Sequence, residues 1–181
     1  MIDTAGLSTC FRVRRLNDAD ADGILFLCEG NPQYYLYCNS EPSMEQVLHD
    51  LRTAPPGVGA DDKYFVGFFR GDELVAVMDL IDGYPGKGCC YIGFFMMNEA
   101  YQGKLIGSAI IDEVCAYLTR IGKRTIRLAF AEDNPQASHF WKKNGFIVKA
   151  VAPMDGWTAL VAERDLPGPA IGLLKKLTDM L

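Results

Sequence analysis

The sequence predicts a mixed α/β domain with a central sheet of about six to seven mostly antiparallel strands, flanked by about four helices. Three observations support this fold class. Short apolar runs of strand length alternate with amphipathic helical patterns over most of the chain. Three strand-like runs are separated only by turn residues, which indicates an antiparallel meander. A strand, a helix and a strand then follow in that order, and such a crossover makes the two strands parallel neighbours.

The first half of the chain contains two predicted helices and the meander. A strand over Phe11–Leu16 precedes a helix that Asn17 and Asp18 cap. A turn at residues 30–32 and a tyrosine-rich segment lead to a second helix, Met44–Leu51, whose apolar residues recur at helical spacing. The three strands of the meander are expected over Tyr64–Phe69, Leu74–Ile81 and Cys89–Met97.

The second half contains the crossover and a final hairpin. A helix is expected from Ile106 to near Gly122, and a strand over Thr125–Ala131 follows it. Asn134 and Pro135 are typical of the start of another helix, which a glycine ends ten residues later. The hairpin is expected over Phe146–Ala152 and Trp157–Ala162.

Length and composition favour one domain over residues 1–166, because 181 residues are enough for a single sizeable core. The net charge of −5 argues against a nucleic-acid or anionic-membrane partner over the whole surface. The six cysteines lack Cys-x-x-Cys spacing, and the first residues resemble no targeting segment. We therefore expect a cytoplasmic protein without metal or membrane span. Residues 167–181 are expected to form an amphipathic helix that docks on the domain or on a second subunit, as in a homodimer.

The junction between the third meander strand and the next helix is suited to hold a phosphate group. A glycine-containing turn opens directly into a helix, where the first backbone N–H groups are unpaired and the helix dipole is positive. The segment matches neither the Gly-x-x-x-x-Gly-Lys-Ser/Thr loop nor the Gly-x-Gly-x-x-Gly fingerprint. A phosphate carrier other than ATP or a dinucleotide is therefore indicated.

Two motifs resemble the GNAT superfamily of acyl-CoA N-acyltransferases. They are the run Tyr101-Gln102-Gly103-Lys104-Leu105-Ile106-Gly107-Ser108 and the segment Asn134–Phe146. The resemblance implies the GNAT fold, acetyl-CoA as co-substrate without a metal, and direct transfer of the acetyl group to a primary amine in a ternary complex. The alternative is a coenzyme A-binding sensor or accessory module that does not catalyse transfer.

The resemblance also assigns the coenzyme to particular residues. The pyrophosphate would bind the turn residues Gln102, Gly103, Lys104, Leu105, Ile106, Gly107 and Ser108. The pantetheine arm would pair with the backbone of Phe95, Met96 and Met97, where the strand separates from its neighbour at a bulge. The Met97 N–H would point at the acyl carbonyl and stabilise the oxyanion. Asn134 and Trp141 would complete the coenzyme surface.

Two positions depart from the family pattern. Leu105 stands where the first motif glycine is usual. We expect its backbone to be helical, so that leucine costs little, whereas a positive φ would cost about 1–2 kcal/mol. Trp141 stands where many members carry a tyrosine proposed as general acid, and indole cannot supply a proton near neutral pH. The leaving thiolate, with a pKa of about 8.5 by analogy with cysteine, tolerates the loss of an acid.

The general base is left open by the sequence. An alkyl amine with a pKa near ~10.4 must lose a proton before it attacks. Asp79 lies in an otherwise apolar strand, where desolvation would raise the pKa of its carboxyl; solvation at the strand end is the other interpretation. Glu132, just after the next strand, is a second candidate, or else an exposed loop charge. Deprotonation through water is a third route.

The acceptor site is the least defined part. Tyr34, Tyr35 and Tyr37 lie between the first two helices, the region that covers the acceptor in the superfamily. They are candidates for contacts with the substrate, and packing of the helices onto the sheet explains them equally well. A polyamine, an amino acid and a protein amine all remain open as acceptors.

Overall fold

The computed structural model describes residues 1–168, so the expected helix in residues 167–181 lies outside the described residues except for its first two. The α-helices of the described chain are α1 Ala21–Glu29, α2 Pro32–Tyr37, α3 Met44–Arg52, α4 Ile106–Arg120 and α5 Pro135–Lys143. The strands are β1 Arg12–Arg15, β2 Lys63–Arg70, β3 Glu73–Asp82, β4 Cys89–Met97, β5 Thr125–Ala131, β6 Ile147–Pro153 and β7 Thr158–Asp165.

These strands form one sheet in the order β1-β2-β3-β4-β5-β7-β6. All neighbouring pairs are antiparallel except β4 and β5, which are parallel because α4 carries the chain back between them. The predicted mixed, mostly antiparallel sheet is therefore confirmed.

The two faces of the sheet are covered by different helices. Alternate residues of β3 point to opposite faces, so Met78 packs under α4 and α5 whereas Val77 packs under α1 and α3. The larger core lies on the α4 side and includes most of the fully buried side chains. In residues 1–168 no helix has the length and apolar character needed to cross a membrane.

The element boundaries agree with the sequence pattern to within a few residues, with one exception. The tyrosine-rich segment that follows the turn is a short helix, α2, with Asn31 before it and Pro32 at its first position. Proline is well suited to that position because its fixed φ is helical and its missing N–H would be unpaired anyway. Only a turn is expected here from the sequence, since six residues are too few to show a periodic pattern.

Gly67 of β2 occupies a site with no room for a side chain. A Cβ there would lie 2.7 Å from Phe69 Cε2, 2.8 Å from Leu74 Cδ1 and 2.9 Å from Leu16 Cδ2. We predict that Gly67→Ala lowers the free energy of unfolding by about 1–3 kcal/mol, measured by urea denaturation. The control Gly86→Ala has no atom within 4 Å of the added Cβ and should stay within about 0.5 kcal/mol of wild type. Equal losses in both variants would contradict the packing explanation.

Candidate active site

The candidate site begins where β4 separates from β5. Their parallel pairing ends at Ile92 opposite Leu128, although both strands continue. In the β3–β4 ladder Leu80 pairs with Ile92 and Asp79 with Phe94, so Gly93 is an extra residue on β4, a β-bulge. Beyond this bulge β4 remains paired with β3 on one side and opens a cleft toward β5 on the other.

The backbone of Met97 faces this cleft. The N–H of the next residue, Asn98, donates to the Val75 carbonyl at 2.9 Å. Successive residues of a strand direct their N–H and C=O groups to opposite sides, so those of Met97 point away from β3. The Met97 carbonyl indeed accepts hydrogen bonds from Asn31 Nδ2 at 3.0 Å and Gln102 Nε2 at 3.3 Å. Its N–H is directed at the same side.

Asn31 connects the parts of the site and was not predicted from the sequence as a site residue. Its Nδ2 also donates to the Leu27 carbonyl at 2.8 Å, and its Oδ1 accepts from Gln102 Nε2 at 2.6 Å. Gln136 Nε2 on α5 donates in turn to Gln102 Oε1 at 3.4 Å. This network fixes the end of β4 against the α1–α2 junction and the glycine turn. The Asn-Pro pair signals only a helix start, not these distant partners.

The N-terminus of α4 opens at the edge of the cleft without a capping side chain. Leu105 occupies the capping position and provides no hydrogen bond to the first turn. Gly103, two residues earlier, has a φ of 70° and turns the chain into the helix. The first N–H groups of α4 and the positive end of its dipole therefore remain available to an anion.

The expectation of a helical Leu105 was wrong. Its φ is 62° and its ψ is 1°, which is the left-handed conformation. Leucine costs about 1–2 kcal/mol there because its Cβ approaches the following carbonyl oxygen. The side chain is 66% exposed, so burial does not offset this cost. The strain is located at the turn that presents the helix N-terminus, a common place for strain in functional sites.

A cavity of about 420 Å³ occupies the cleft. It is lined by the end of β4, the glycine turn, the start of α4, the end of β5 and one face of α5, with a few residues from the α1–α3 region. All but one of the residues assigned to coenzyme binding line it: Phe95, Met96, Met97, Gln102, Gly103, Leu105, Ile106, Gly107, Ser108, Asn134 and Trp141. Lys104 is outside the lining and donates from Nζ to the Ala100 carbonyl at 2.8 Å.

Trp141 both lines the cavity and packs in the core. Its ring lies 4.9 Å from that of Phe140, 5.1 Å from that of Phe146 and 6.0 Å from that of Phe95, centroid to centroid. Asn134 is buried nearby and caps α5 by accepting from the Ala137 N–H at 2.9 Å. These residues give the cleft one rigid apolar wall.

Asp79 lies beneath the bulge in a buried ion pair. Lys63 Nζ donates to its Oδ2 at 2.6 Å, while Oδ1 has no hydrogen-bond partner in the described part of the chain. Burial raises the pKa of the Asp79 carboxyl and Asp50 adds to the rise, whereas Lys63 opposes it. The interpretation of Asp79 as a desolvated carboxyl with a raised pKa agrees with this environment, whereas the other interpretation, solvation at the strand end, does not.

Only the backbone of Gly93 separates Asp79 from the cavity. Gly93 is exposed and lines the cavity, whereas Asp79 does not. A Cβ on Gly93 would lie 2.8 Å from Asp79 Oδ2, so the missing side chain leaves the carboxylate directly behind the backbone. Within residues 1–168, no group of three His, Cys, Asp or Glu side chains could hold a metal ion.

The other predicted site residues are dispersed. Glu132 is exposed beyond the end of β5 and does not line the cavity. Tyr34 lines the cavity, with its ring 5.6 Å from that of Phe94. Tyr35 is buried with its hydroxyl beside Cys28, and Tyr37 is half-buried; neither lines the cavity. For Tyr35, packing of the helix onto the sheet is the interpretation that the structure supports.

An open strand edge that leads to an uncapped helix N-terminus defines a class of protein that can hold an extended, phosphate-bearing carrier. The model of the acetyltransferase (GNAT) family matches residues 26–146. The chain therefore belongs to this family, and the resemblance seen in the two motifs is confirmed. The search of curated protein sequences gave no significant match.

Solved structures share the fold. An acetyltransferase from Thermus thermophilus is 24% identical with a TM-score of 0.69, over 85% of this chain and 96% of that chain. The PaiA N-acetyltransferase from Thermoplasma acidophilum in complex with coenzyme A is 20% identical with a TM-score of 0.64, over 84% and 97%. The ribosomal-protein-S18-alanine N-acetyltransferase from Escherichia coli is 12% identical with a TM-score of 0.64, over 89% and 97%.

The strain at Leu105 can be measured directly. We predict that Leu105→Gly raises the free energy of unfolding by about 0.5–1 kcal/mol. Glycine adopts the left-handed conformation without the steric cost that leucine has there. The greater conformational entropy of glycine in the unfolded chain offsets part of this gain. Leu105→Ala keeps the Cβ and should give no gain. Urea denaturation without ligand makes the comparison, and an equal gain in the alanine variant would show that backbone strain is not the cause.

Proposed function

We propose that this member of the acetyltransferase family moves an acetyl group from acetyl-CoA to a primary amine by direct transfer in a ternary complex. The observation that carries the proposal is the unpaired edge of β4, which runs toward the uncapped N-terminus of α4 along a single cavity. An extended arm with amide groups suits the strand edge, and a pyrophosphate suits the helix N-terminus. The coenzyme A in the Thermoplasma acidophilum structure is consistent with this use of the fold.

Met97 is proposed to stabilise the charge that develops on the acetyl oxygen. Its N–H faces the cleft, and the hydrogen bonds that its carbonyl accepts from Asn31 and Gln102 hold the peptide group that follows Met97, which restrains the backbone at this residue. A preorganised donor of this kind contributes roughly 10²- to 10³-fold to the rate. The amine nitrogen would form its bond to the carbonyl carbon as the bond to sulfur breaks and the thiolate leaves.

Asp79 is proposed as the base that takes the proton from the amine. Its raised pKa makes it a better proton acceptor than an exposed aspartate, and Gly93 separates it from the cavity by backbone alone. One water at the bulge would complete the path. Lys63 holds Oδ2, the oxygen nearest Gly93, and Oδ1, which has no hydrogen-bond partner within residues 1–168, would accept the proton. Glu132 is the weaker candidate, because it is exposed and outside the cavity lining.

A coenzyme A-binding sensor or accessory module without catalysis is the second candidate function. One observation favours it: among the described residues that line the cavity, none is an aspartate or glutamate, and Trp141 supplies no acid. Tight binding of acetyl-CoA without transfer to any amine would support this alternative.

The coenzyme site predicts a selective thermal shift. At about 100 times its dissociation constant, acetyl-CoA should add roughly 2.7 kcal/mol to the free energy of unfolding. Each kcal/mol should raise the midpoint by about 2–4 °C in a chain of this size. ATP and NAD at the same concentration are the controls. An equal shift with these controls, or none with acetyl-CoA, would contradict the proposed coenzyme site.

Ser108→Glu separates coenzyme binding from folding. A carboxylate in the first turn of α4 favours the helix dipole and keeps the fold, but it repels a pyrophosphate at the same point. We expect the acetyl-CoA shift to be lost in Ser108→Glu and kept in the neutral, similarly sized Ser108→Gln. A full shift in the glutamate variant would mean that the phosphate binds elsewhere.

The proposed base can be tested with one substitution at the carboxylate and one at the bulge that separates it from the cavity. We predict that Asp79→Asn lowers kcat by about 10²-fold or more, in the range usual for a general base. Gly93→Ala should also reduce kcat, because its Cβ would occupy the space between carboxylate and cavity. Glu132→Gln is the matched control and should leave kcat unchanged. The thermal shift with acetyl-CoA verifies that each variant is folded, and a large loss in Glu132→Gln alone would reverse the assignment.

A further inference from the structure

The cavity passes through the opened sheet to its second face. Phe95 and Met97 face the α4 side, where the coenzyme is proposed to lie, whereas Phe94 and Met96 pack on the α1–α3 side. All four residues line the cavity. The part on the α1–α3 side is therefore where an acceptor would approach the acetyl group from the face opposite the coenzyme.

Aromatic rings surround this acceptor side. The rings of Tyr34 and Phe94 pack edge to face with their centroids 5.6 Å apart. Trp157, in the turn between β6 and β7, adds a third ring to the cavity lining. That turn lies over the α2–α3 connection: a Cβ on Gly156 would be 3.5 Å from Asn39 Nδ2. The rings and the two turns form an apolar enclosure on this side of the cavity.

The enclosure carries no charge of its own. No described residue that lines the cavity is a carboxylate, and the two lining residues with basic side chains, His139 and Lys143, belong to α5 on the opposite face of the sheet. Burial raises the pKa of the Cys38 thiol and of the Tyr34 hydroxyl, so both stay neutral. Asp50 on α3 is engaged by Gln46 Nε2 at 2.6 Å and does not line the cavity. A second ammonium or a free carboxylate on the acceptor would be buried there without a partner.

We infer that the acceptor is a small monoamine with an aromatic or similarly apolar body, an inference that rests on the proposed function. The rings of Tyr34, Phe94 and Trp157 would hold that body, while its one amine would lie at the Gly93 bulge beside Asp79. Polyamines and free amino acids fit poorly because each brings a second charge. The apolar rings also favour a small molecule over the N-terminus of a protein, whose peptide groups would be buried among them without hydrogen-bond partners.

The test compares four acceptors with acetyl-CoA as donor, following release of free coenzyme A. The acceptors are 2-phenylethylamine, spermidine, phenylalanine and a tripeptide with phenylalanine at its N-terminus. We expect kcat/KM for 2-phenylethylamine to exceed that of each of the others by at least tenfold. A higher kcat/KM for spermidine, phenylalanine or the tripeptide would overturn the inference.

Substitutions at Trp157 link the preference to the enclosure. Trp157→Ala should lower kcat/KM for 2-phenylethylamine by about tenfold while changing that of n-propylamine less than threefold. Trp157→Phe should restore most of the loss. Phe26→Ala is the control, because Phe26 is exposed on α1 and does not line the cavity. Equal losses for both amines, or a loss in the control as large as in Trp157→Ala, would overturn the assignment of Trp157.

Acetyl-CoA binding, measured by the thermal shift, separates the two levels of failure. A normal shift with acetylation of another acceptor but not of 2-phenylethylamine overturns the acceptor class alone, whereas a normal shift with transfer to none of the amines overturns the proposed transfer and favours the non-catalytic alternative. Absence of the shift overturns the proposed function, and the acceptor class with it.

Discussion

The separation of β4 from β5 at Gly93 is the constraint on which the rest of the site depends. One extra residue in the β3–β4 ladder ends the parallel pairing of β4 with β5 after Ile92. The bulge leaves a free strand edge, opens a passage between the two faces of the sheet and exposes a backbone point above Asp79. A regular sheet would have none of these features, because β4 would be paired on both sides through Met97.

Two energetically unfavourable features accompany this opening. Leu105 is held in a left-handed conformation, and Asp79 is buried with one oxygen that has no hydrogen-bond partner among residues 1–168. Each costs free energy in a protein whose net stability is only about 5–15 kcal/mol. The large core around α4 and the hydrogen bonds of Asn31 and Gln102 hold these residues in place. Both unfavourable features lie beside the cavity, which is the distribution expected when strain serves a site.

The sequence predicted the elements well and the contacts between them less well. Strands such as Cys89–Met97 and Thr125–Ala131 follow from local apolar patterns bounded by turn residues. The apolar pattern after the glycine turn does not distinguish the first helical residue from the residue that precedes the helix. The predicted helical backbone of Leu105 was therefore wrong. Asn31, Trp157 and the Lys63 partner of Asp79 lie far from the cavity motifs in sequence, and only the fold brings them together.

The apolar enclosure and the buried Asp79 carboxylate are linked through the exclusion of water. Burial keeps the pKa of Asp79 raised, and bulk water or a further charge at the bulge, beyond the one water of the proposed proton path, would weaken that effect. An acceptor with an apolar body would fill the ring-lined space and exclude water as its amine arrives. A polyamine would instead bring a second charge into the same space and retain its hydration. The acceptor's apolar body would therefore contribute to proton transfer as well as to binding, since it would complete the dry environment in which Asp79 is a stronger base.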